Sequence, residues 1–253
     1  MYLTIRGLVL RVTQYNDTDA LLSVLTATHG KITVKARGVR RRNSPIAASC
    51  QLLAYDEFVL FEYRGMFTIN EVHSVDLFEN LRKDLQKLSL GTYLAQVAEV
   101  ISQEDTPNPE LLSLLLNSLH ALANLDVSEH KVKAVFELRC ACLAGYMPDL
   151  NACWKCGSTE ADMFDLSNAR LECCKCNFHK SNSIRLPVSA GVLAAMRYIC
   201  TCDSKKIFSF QLHIDAIRHL SEVTESFLLT QLERGFSCLD FYKSLCVNPV
   251  INT

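Results

Sequence analysis

The chain has 253 residues, enough for one large domain or two modest ones that each bury a core. Hydrophobic residues make up 49% and charged residues 21%, with only nine glycines and six prolines, which excludes a disordered or turn-dominated architecture. The formal net charge is −1, so the surface as a whole is no polyanion binder, and affinity for nucleic acid has to come from local clustering.

Residues 1 to about 76 read as β-structure. Thr4–Val12, Ala20–Thr26, Lys31–Ala36, Glu57–Arg64 and Phe67–Ser74 are short runs rich in branched and aromatic residues. Turn signals separate them: Asn16-Asp17-Thr18-Asp19, Thr28-His29-Gly30 and Arg64-Gly65. Five strands are too few for a two-sheet sandwich and suit a small closed or partly closed barrel, which removes the exposed edges of an open sheet.

Between Asp19 and Asp56 there is no acidic residue, and the gap holds Lys31, Lys35, Arg37, Arg40, Arg41 and Arg42 around Gly38. Lys31, Thr33 and Lys35 alternate on one face of the third strand, and the arginines follow in a loop. Such a run is often only a solvated face. One-sided charge on a small barrel in a neutral protein reads instead as the footprint of a polyanion, with these six cations contacting phosphates. Tyr55, Phe58, Phe61, Tyr63 and Phe67 are candidates for stacking on bases. Alternation sends Phe61 and Tyr63 to one face and Phe58 to the other, so some of them belong to the core.

From Leu77 to Ile101 the apolar period changes to three and four residues, predicting a helix. Asn108-Pro109 starts a second helix reaching about Leu125, and Ser128 caps a third that stops at Gly145 with Pro148 beyond. Helical periodicity returns in Val188–Cys200, with Ser189 as N-cap, and in Leu212–Leu232. No apolar run reaches the roughly 18 residues of a membrane span. The N-terminus carries Arg6 within its apolar run and lacks a small-residue cleavage site, so it does not read as a signal peptide. The twelve cysteines are therefore expected as reduced thiols.

Residues 149–184 form a polar insertion. Cys153-Trp154-Lys155-Cys156 and Cys173-Cys174-Lys175-Cys176 give two C-x2-C pairs, the spacing that sets four thiolates around one Zn²⁺. Cys174 and His179 are alternatives to Cys173 or Cys176 as ligands. Four protein ligands leave no open position, so the metal reads as structural, and no H-x-E motif accompanies the pairs as a deaminase requires. Cys50, Cys140, Cys142, Cys200, Cys202, Cys238 and Cys246 read as small core residues. Phosphate-binding glycine loops, H-E-x-x-H and G-x-S-x-G are all missing, so an enzyme reading has no residues to carry it.

The fold class expected is α+β with several domains: a five-stranded OB-fold barrel (1–76), an all-α domain in two parts (77–148 and 185–253), and the inserted zinc module (149–184). Several segments together resemble the bacterial recombination mediator family RecO. They are Gly7-Leu8-Val9-Leu10, Tyr15 to Asp19, His29-Gly30-Lys31, the basic run from Lys35 through Arg41 to Ser44, and Phe136-Glu137-Leu138-Arg139 leading to Gly145-Tyr146-Met147-Pro148 and Cys153 to Gly157. A C-terminal helix from His219 to Phe236, with Ser237 after it, also fits. The likeness runs nearly the whole length, although the acidity of this chain departs from the more basic character expected of the family.

The resemblance implies a non-catalytic cytoplasmic, nucleoid-associated protein that binds single- and double-stranded DNA and anneals complementary strands. It implies loading of RecA onto strands coated by the single-strand-binding protein SSB, together with RecR, and capture of the acidic SSB tail. Arg139 is the residue expected to receive that tail, and a helix-surface ion pair is its ordinary alternative. A rival function is a non-catalytic scaffold whose barrel binds a protein.

Overall fold

In the computed structural model, which describes residues 1–176 and 183–247, the first 76 residues form five strands: β1 (Tyr2–Gln14), β2 (Ala20–Thr26), β3 (Lys31–Ala36), β4 (Tyr55–Tyr63) and β5 (Met66–Asp76). They close into a barrel in the order β1-β2-β3-β5-β4, with β3 and β5 parallel and the other pairs antiparallel. β1 serves both edges, pairing its first half with β4 and its second with β2, and its register shifts between Val9 and Arg11. Gly7 lies where the two pairings overlap. A Cβ there would fall 2.4 Å from Val24 Cγ1, so closure requires a residue without one.

The barrel interior is Ile5, Val9, Leu22, Val24, Ile32, Val34, Phe58 and Leu60 with their neighbours. The connection between β3 and β4 is a chain of turns in place of a helix. Its Cys50 and Ala54 join the core, and Val39 and Ile46 pack against it, closing one end of the barrel. Backbone bonds between Val9 and both Leu53 and Ala54, each 2.9 Å, fasten the end of this connection to β1.

Among the described residues seven α-helices follow: α1 (Glu79–Arg82), α2 (Leu85–Ile101), α3 (Pro109–Asn124), α4 (Glu129–Leu143), α5 (Ala190–Thr201), α6 (Ile214–Leu232) and α7 (Ser237–Val247). The single helix expected from Leu77 is broken, because Asp84 acts as an N-cap and accepts from the Gln86 and Lys87 amides. Asn108, Ser128 and Ser189 cap α3, α4 and α5 as the sequence predicts. α6 stops at Leu232, as its periodicity predicts and short of the Phe236 that the resemblance implies, and Glu233 turns left-handed with φ 50°. α7 follows and was not anticipated.

By packing, the chain forms two compact units. The first holds residues 1–125 and α7, and the second runs from Asp126 to Gly235. The sequence grouped residues 77–148 with 185–253; in the structure α2 packs on β1, α3 and α7, whereas α4 packs on α5 and α6. Tyr93 of α2 meets Phe236 edge-on at 5.6 Å, just ahead of α7.

α4 is the axis of the second unit and is buried on every side from Lys131 to Leu138. It carries charge into that interior. Lys133 Nζ lies 2.9 Å from Glu137 and 2.8 Å from Glu225 of α6, and Thr224 donates to Glu137 at 3.0 Å. The helix ends at Gly145 (φ 95°), where the Tyr146 amide reaches back to the Ala141 carbonyl at 2.9 Å.

Among the described residues the cysteine-rich region holds four short strands, β6 (Asp149–Cys153), β7 (Met163–Asp165), β8 (Arg170–Glu172) and β9 (Arg185–Pro187), in the order β6-β8-β7-β9, the last just beyond the boundary expected at 184. Phe164 of β7 packs edge-on against Phe227 of α6 at 5.1 Å, which anchors the small sheet to the helices. Among the described residues no helix is long and apolar enough to cross a membrane.

Candidate nucleic-acid interface and metal centre

The six cations predicted on β3 and its loop separate into two groups. Lys31 and Lys35 have partners inside the protein. Lys31 Nζ donates at 3.0 Å to the Glu99 carbonyl in the last turn of α2, where a cation suits the negative end of the helix. Lys35 lies 3.3 Å from Asp19 and 4.5 Å from the centre of the Tyr15 ring.

Arg37, Arg40, Arg41 and Arg42 are exposed on the turn that follows β3. Arg40 donates through Nη1 to the Asn16 carbonyl at 3.0 Å, and its amide donates to the Thr18 carbonyl at the same distance. The side chains of Arg37, Arg41 and Arg42 have no hydrogen-bonded or ion-paired partner among the described residues. Gly38, with φ 65°, makes the bend that turns the run outward.

A clasp fixes this bend. In the β1–β2 turn, Asn16 Oδ1 accepts from the Thr18 and Asp19 amides, which aims the Asp19 carboxylate across at the loop. Asp19 Oδ1 then accepts from the Gly38 amide at 2.9 Å. That amide, ahead of the Asn16, Thr18 and Lys35 side chains, holds the Asp19 carboxyl down at about 2 against the opposing effect of desolvation. The predicted turn signal and the predicted basic loop are thus one unit, which sequence reasoning treated separately.

Of the aromatic candidates, Phe58 is buried in the barrel and Phe67 packs against its core. Tyr55 is half-buried, and Phe61 and Tyr63 are exposed.

In the insertion the Sγ atoms of Cys153, Cys156, Cys173 and Cys176 all lie within 4.8 Å of one another, with Cys156 and Cys173 at 3.6 Å. A tetrahedral tetrathiolate with bonds of about 2.3 Å needs sulfurs roughly 3.8 Å apart, so the donor set fits a metal ion. The Cys173 amide donates to Cys153 Sγ at 3.3 Å, and Gly157 takes φ 72° directly after the first pair. Burial works to raise the Cys153 thiol, yet the amides of Cys156, Cys173 and Lys155 bring it down to about 6. Cys156 and Cys173 push Cys176 up to about 12. The four sulfurs form a cluster that a cation would complete. Cys174 is exposed and outside the group, and His179 lies outside the described residues.

Glu172, buried beside the knuckles, accepts from Trp154 Nε1 at 2.7 Å and pairs with Arg185 at 3.0 Å. Arg170 stacks on the other side of Trp154, 3.5 Å from the ring centre. These contacts tie the first cysteine pair to β8 and β9.

Two family models match the chain. The one described as the N terminal part of recombination protein O covers residues 1–78, and the one for its C terminal part covers 82–238. The chain belongs to the RecO family of DNA repair proteins. It is 32% identical over 246 residues to the DNA repair protein RecO of Acetivibrio thermocellus, covering 96% of this chain and 97% of that one. It is 30% identical to the RecO of Alkaliphilus metalliredigens over 97% of this chain and the full length of that protein. The RecO of Bacillus pumilus is 30% identical over 78% of this chain and 76% of its own.

Within this RecO chain, Arg139 is half-buried and donates through Nη1 to the Ile199 and Cys200 carbonyls, at 3.0 and 2.5 Å. It closes the C-terminus of α5. Of the scattered cysteines, Cys50, Cys140 and Cys200 are buried, and Cys142, Cys202 and Cys238 are half-buried. Cys246 is exposed, contrary to the core reading, because it lies on the outward side of α7 where the Gln86 amide reaches it at 3.4 Å.

Proposed function

We propose that this chain is a non-catalytic recombination mediator that holds DNA by its phosphates at the barrel, without reading sequence. The observation that carries the reading is the trio Arg37, Arg41 and Arg42: exposed, unpartnered among the described residues, and presented on a loop pinned by Asp19. Arg40 adds charge while bracing the loop, and Lys31 and Lys35 contribute field from their anchored positions. Guanidinium groups suit this work because they stay charged and meet phosphate oxygens in pairs.

Neutralising two strands at one surface lowers their mutual repulsion, so complementary bases can pair without a nucleotide or a covalent step. Family membership supports the finer assignments: annealing of single strands, binding of duplex DNA, loading of RecA onto SSB-coated strands with RecR, and a place in the bacterial cytoplasm at the nucleoid. The SSB tail is assigned to Arg139, whose Nη1 also caps α5. The metal is Zn²⁺ held by Cys153, Cys156, Cys173 and Cys176. With four protein ligands its contribution is to fold the insertion, and the barrel does the binding.

A strand-annealing assay with bare and SSB-coated DNA tests this. The wild type should speed annealing of both, and the Arg37→Glu, Arg41→Glu, Arg42→Glu variant should lose most of the acceleration at unchanged fold. Equal annealing by the two proteins would remove the loop from the mechanism.

A further inference from the structure

The basic strand continues, on the outer face of the barrel, into a row of exposed rings. Lys35 of β3 lies opposite Thr68 of β5, Thr68 opposite Phe61 of β4, and Phe61 opposite Tyr2 of β1. Their sequence neighbours Val34, Ile69, Leu60 and Leu3 face the core, so the four side chains of the row share the outer surface. Three strand spacings separate its ends, about 14 Å. Tyr2 is 63% exposed and Phe61 40%, with ring centres 5.3 Å apart and planes tilted by 52°. Two residues beyond Phe61 on the same face is Tyr63, 60% exposed, with the Arg64 guanidinium 5.2 Å from its ring centre.

Large rings are costly to leave in water, and three of them adjoining on one sheet face call for a ligand. We propose that Tyr2, Phe61 and Tyr63 form a stacking platform for the unpaired bases of a single strand whose phosphates are held by the arginine loop. The proposal rests on the phosphate-grip reading and deepens it. Cations flank the rings, Lys35 at one end of the row and Arg64 beside Tyr63, which suits a polyanion threaded across them. The next row, where Val59 faces Glu71, is acidic and bounds the platform on that side. In a duplex the base faces are already stacked on each other, so the platform would engage single strands alone.

The test compares an oligo-dT with an abasic strand of equal length and equal phosphate count. The wild type is expected to bind oligo-dT at least about tenfold more tightly, the scale of one base stacked on one ring. The Tyr2→Thr, Phe61→Thr variant keeps strand-forming residues at outward positions, so its melting temperature should hold. It should lose most of the oligo-dT preference while keeping the salt dependence of binding. Phe61→Leu keeps an apolar surface and removes the ring, and it should weaken oligo-dT binding in the same direction. Equal wild-type affinity for both strands overturns the platform and leaves the phosphate grip standing. Retention of the preference by Phe61→Leu overturns it too, and marks an apolar docking face for protein. Binding of neither strand at low salt sinks the grip reading and the platform with it.

Discussion

Lys133 is the residue whose loss should cost the second unit most. Its side chain is 3% exposed and lies between Glu137, fully buried, and Glu225, 14% exposed. Lys133→Met preserves chain length and apolar bulk but leaves Glu137 as a buried charge with its cation gone. Removing one partner from such a pair costs about 3–5 kcal/mol. For a protein of this size that corresponds to a fall of roughly 6–20 °C in melting temperature. Glu225 reaches solvent and can turn outward, so the burden falls on Glu137. The pair Lys133→Met, Glu137→Met removes both charges and should recover most of the loss, because packed apolar side chains replace a buried ion pair at little net cost. The pair also raises the Lys133 ammonium pKa despite desolvation. Its stabilisation is therefore complete below the ordinary lysine value and lost only as pH rises through the higher folded one, leaving the neutral range flat. Thermal denaturation of the wild type and both variants at pH 7 provides the test. A single variant that melts within about 2 °C of the wild type would refute this reasoning.

Chelation should unfold the insertion selectively. Metal removal, or Cys153→Ser, is expected to release Trp154, already 45% exposed, from Glu172 and Arg170 and change its fluorescence while single-strand binding by the barrel persists; loss of binding with an intact insertion would assign the metal another role. The Asp19 carboxyl should titrate near pH 2 by NMR instead of near 4. Because its folded value is depressed, the clasp should be complete above about pH 4 and open as pH falls through about 2, so a titration midpoint near 4 would contradict the geometry.

The parts of the fold fixed by local chemistry were legible. The five strands, the caps Asn108, Ser128 and Ser189, and the two cysteine pairs all follow from side chains acting within a few residues of themselves. The parts fixed at long range were not. The return of α7 to α2, with Phe236 just ahead of it meeting Tyr93, is a long-range contact that no spacing announces. α4 hid its burial, because Lys133 and Glu137 look like a surface i,i+4 pair and are an interior one. The Asp84 cap was masked by the apolar period running through Leu81, Leu85 and Leu88. At the candidate interface the cluster of cations was legible, but not its division. Lys31 and Lys35 read like the arginines until their partners, the Glu99 carbonyl and Asp19, are seen across the fold. The same holds for Arg139, whose acceptors lie on α5 some 60 residues further along the chain.

The central claim is that Arg37, Arg41 and Arg42 contact phosphates. Replacing all three with Gln removes charge without reversing it. The measurement is the affinity for oligo-dT from 50 to 200 mM salt. If each arginine neutralises one phosphate, the slope of log affinity against log salt should become shallower by about 2. Over that range, the salt sensitivity lost amounts to roughly twentyfold in affinity. A triple variant with the affinity and slope of the wild type would contradict the account and move the DNA grip away from this loop.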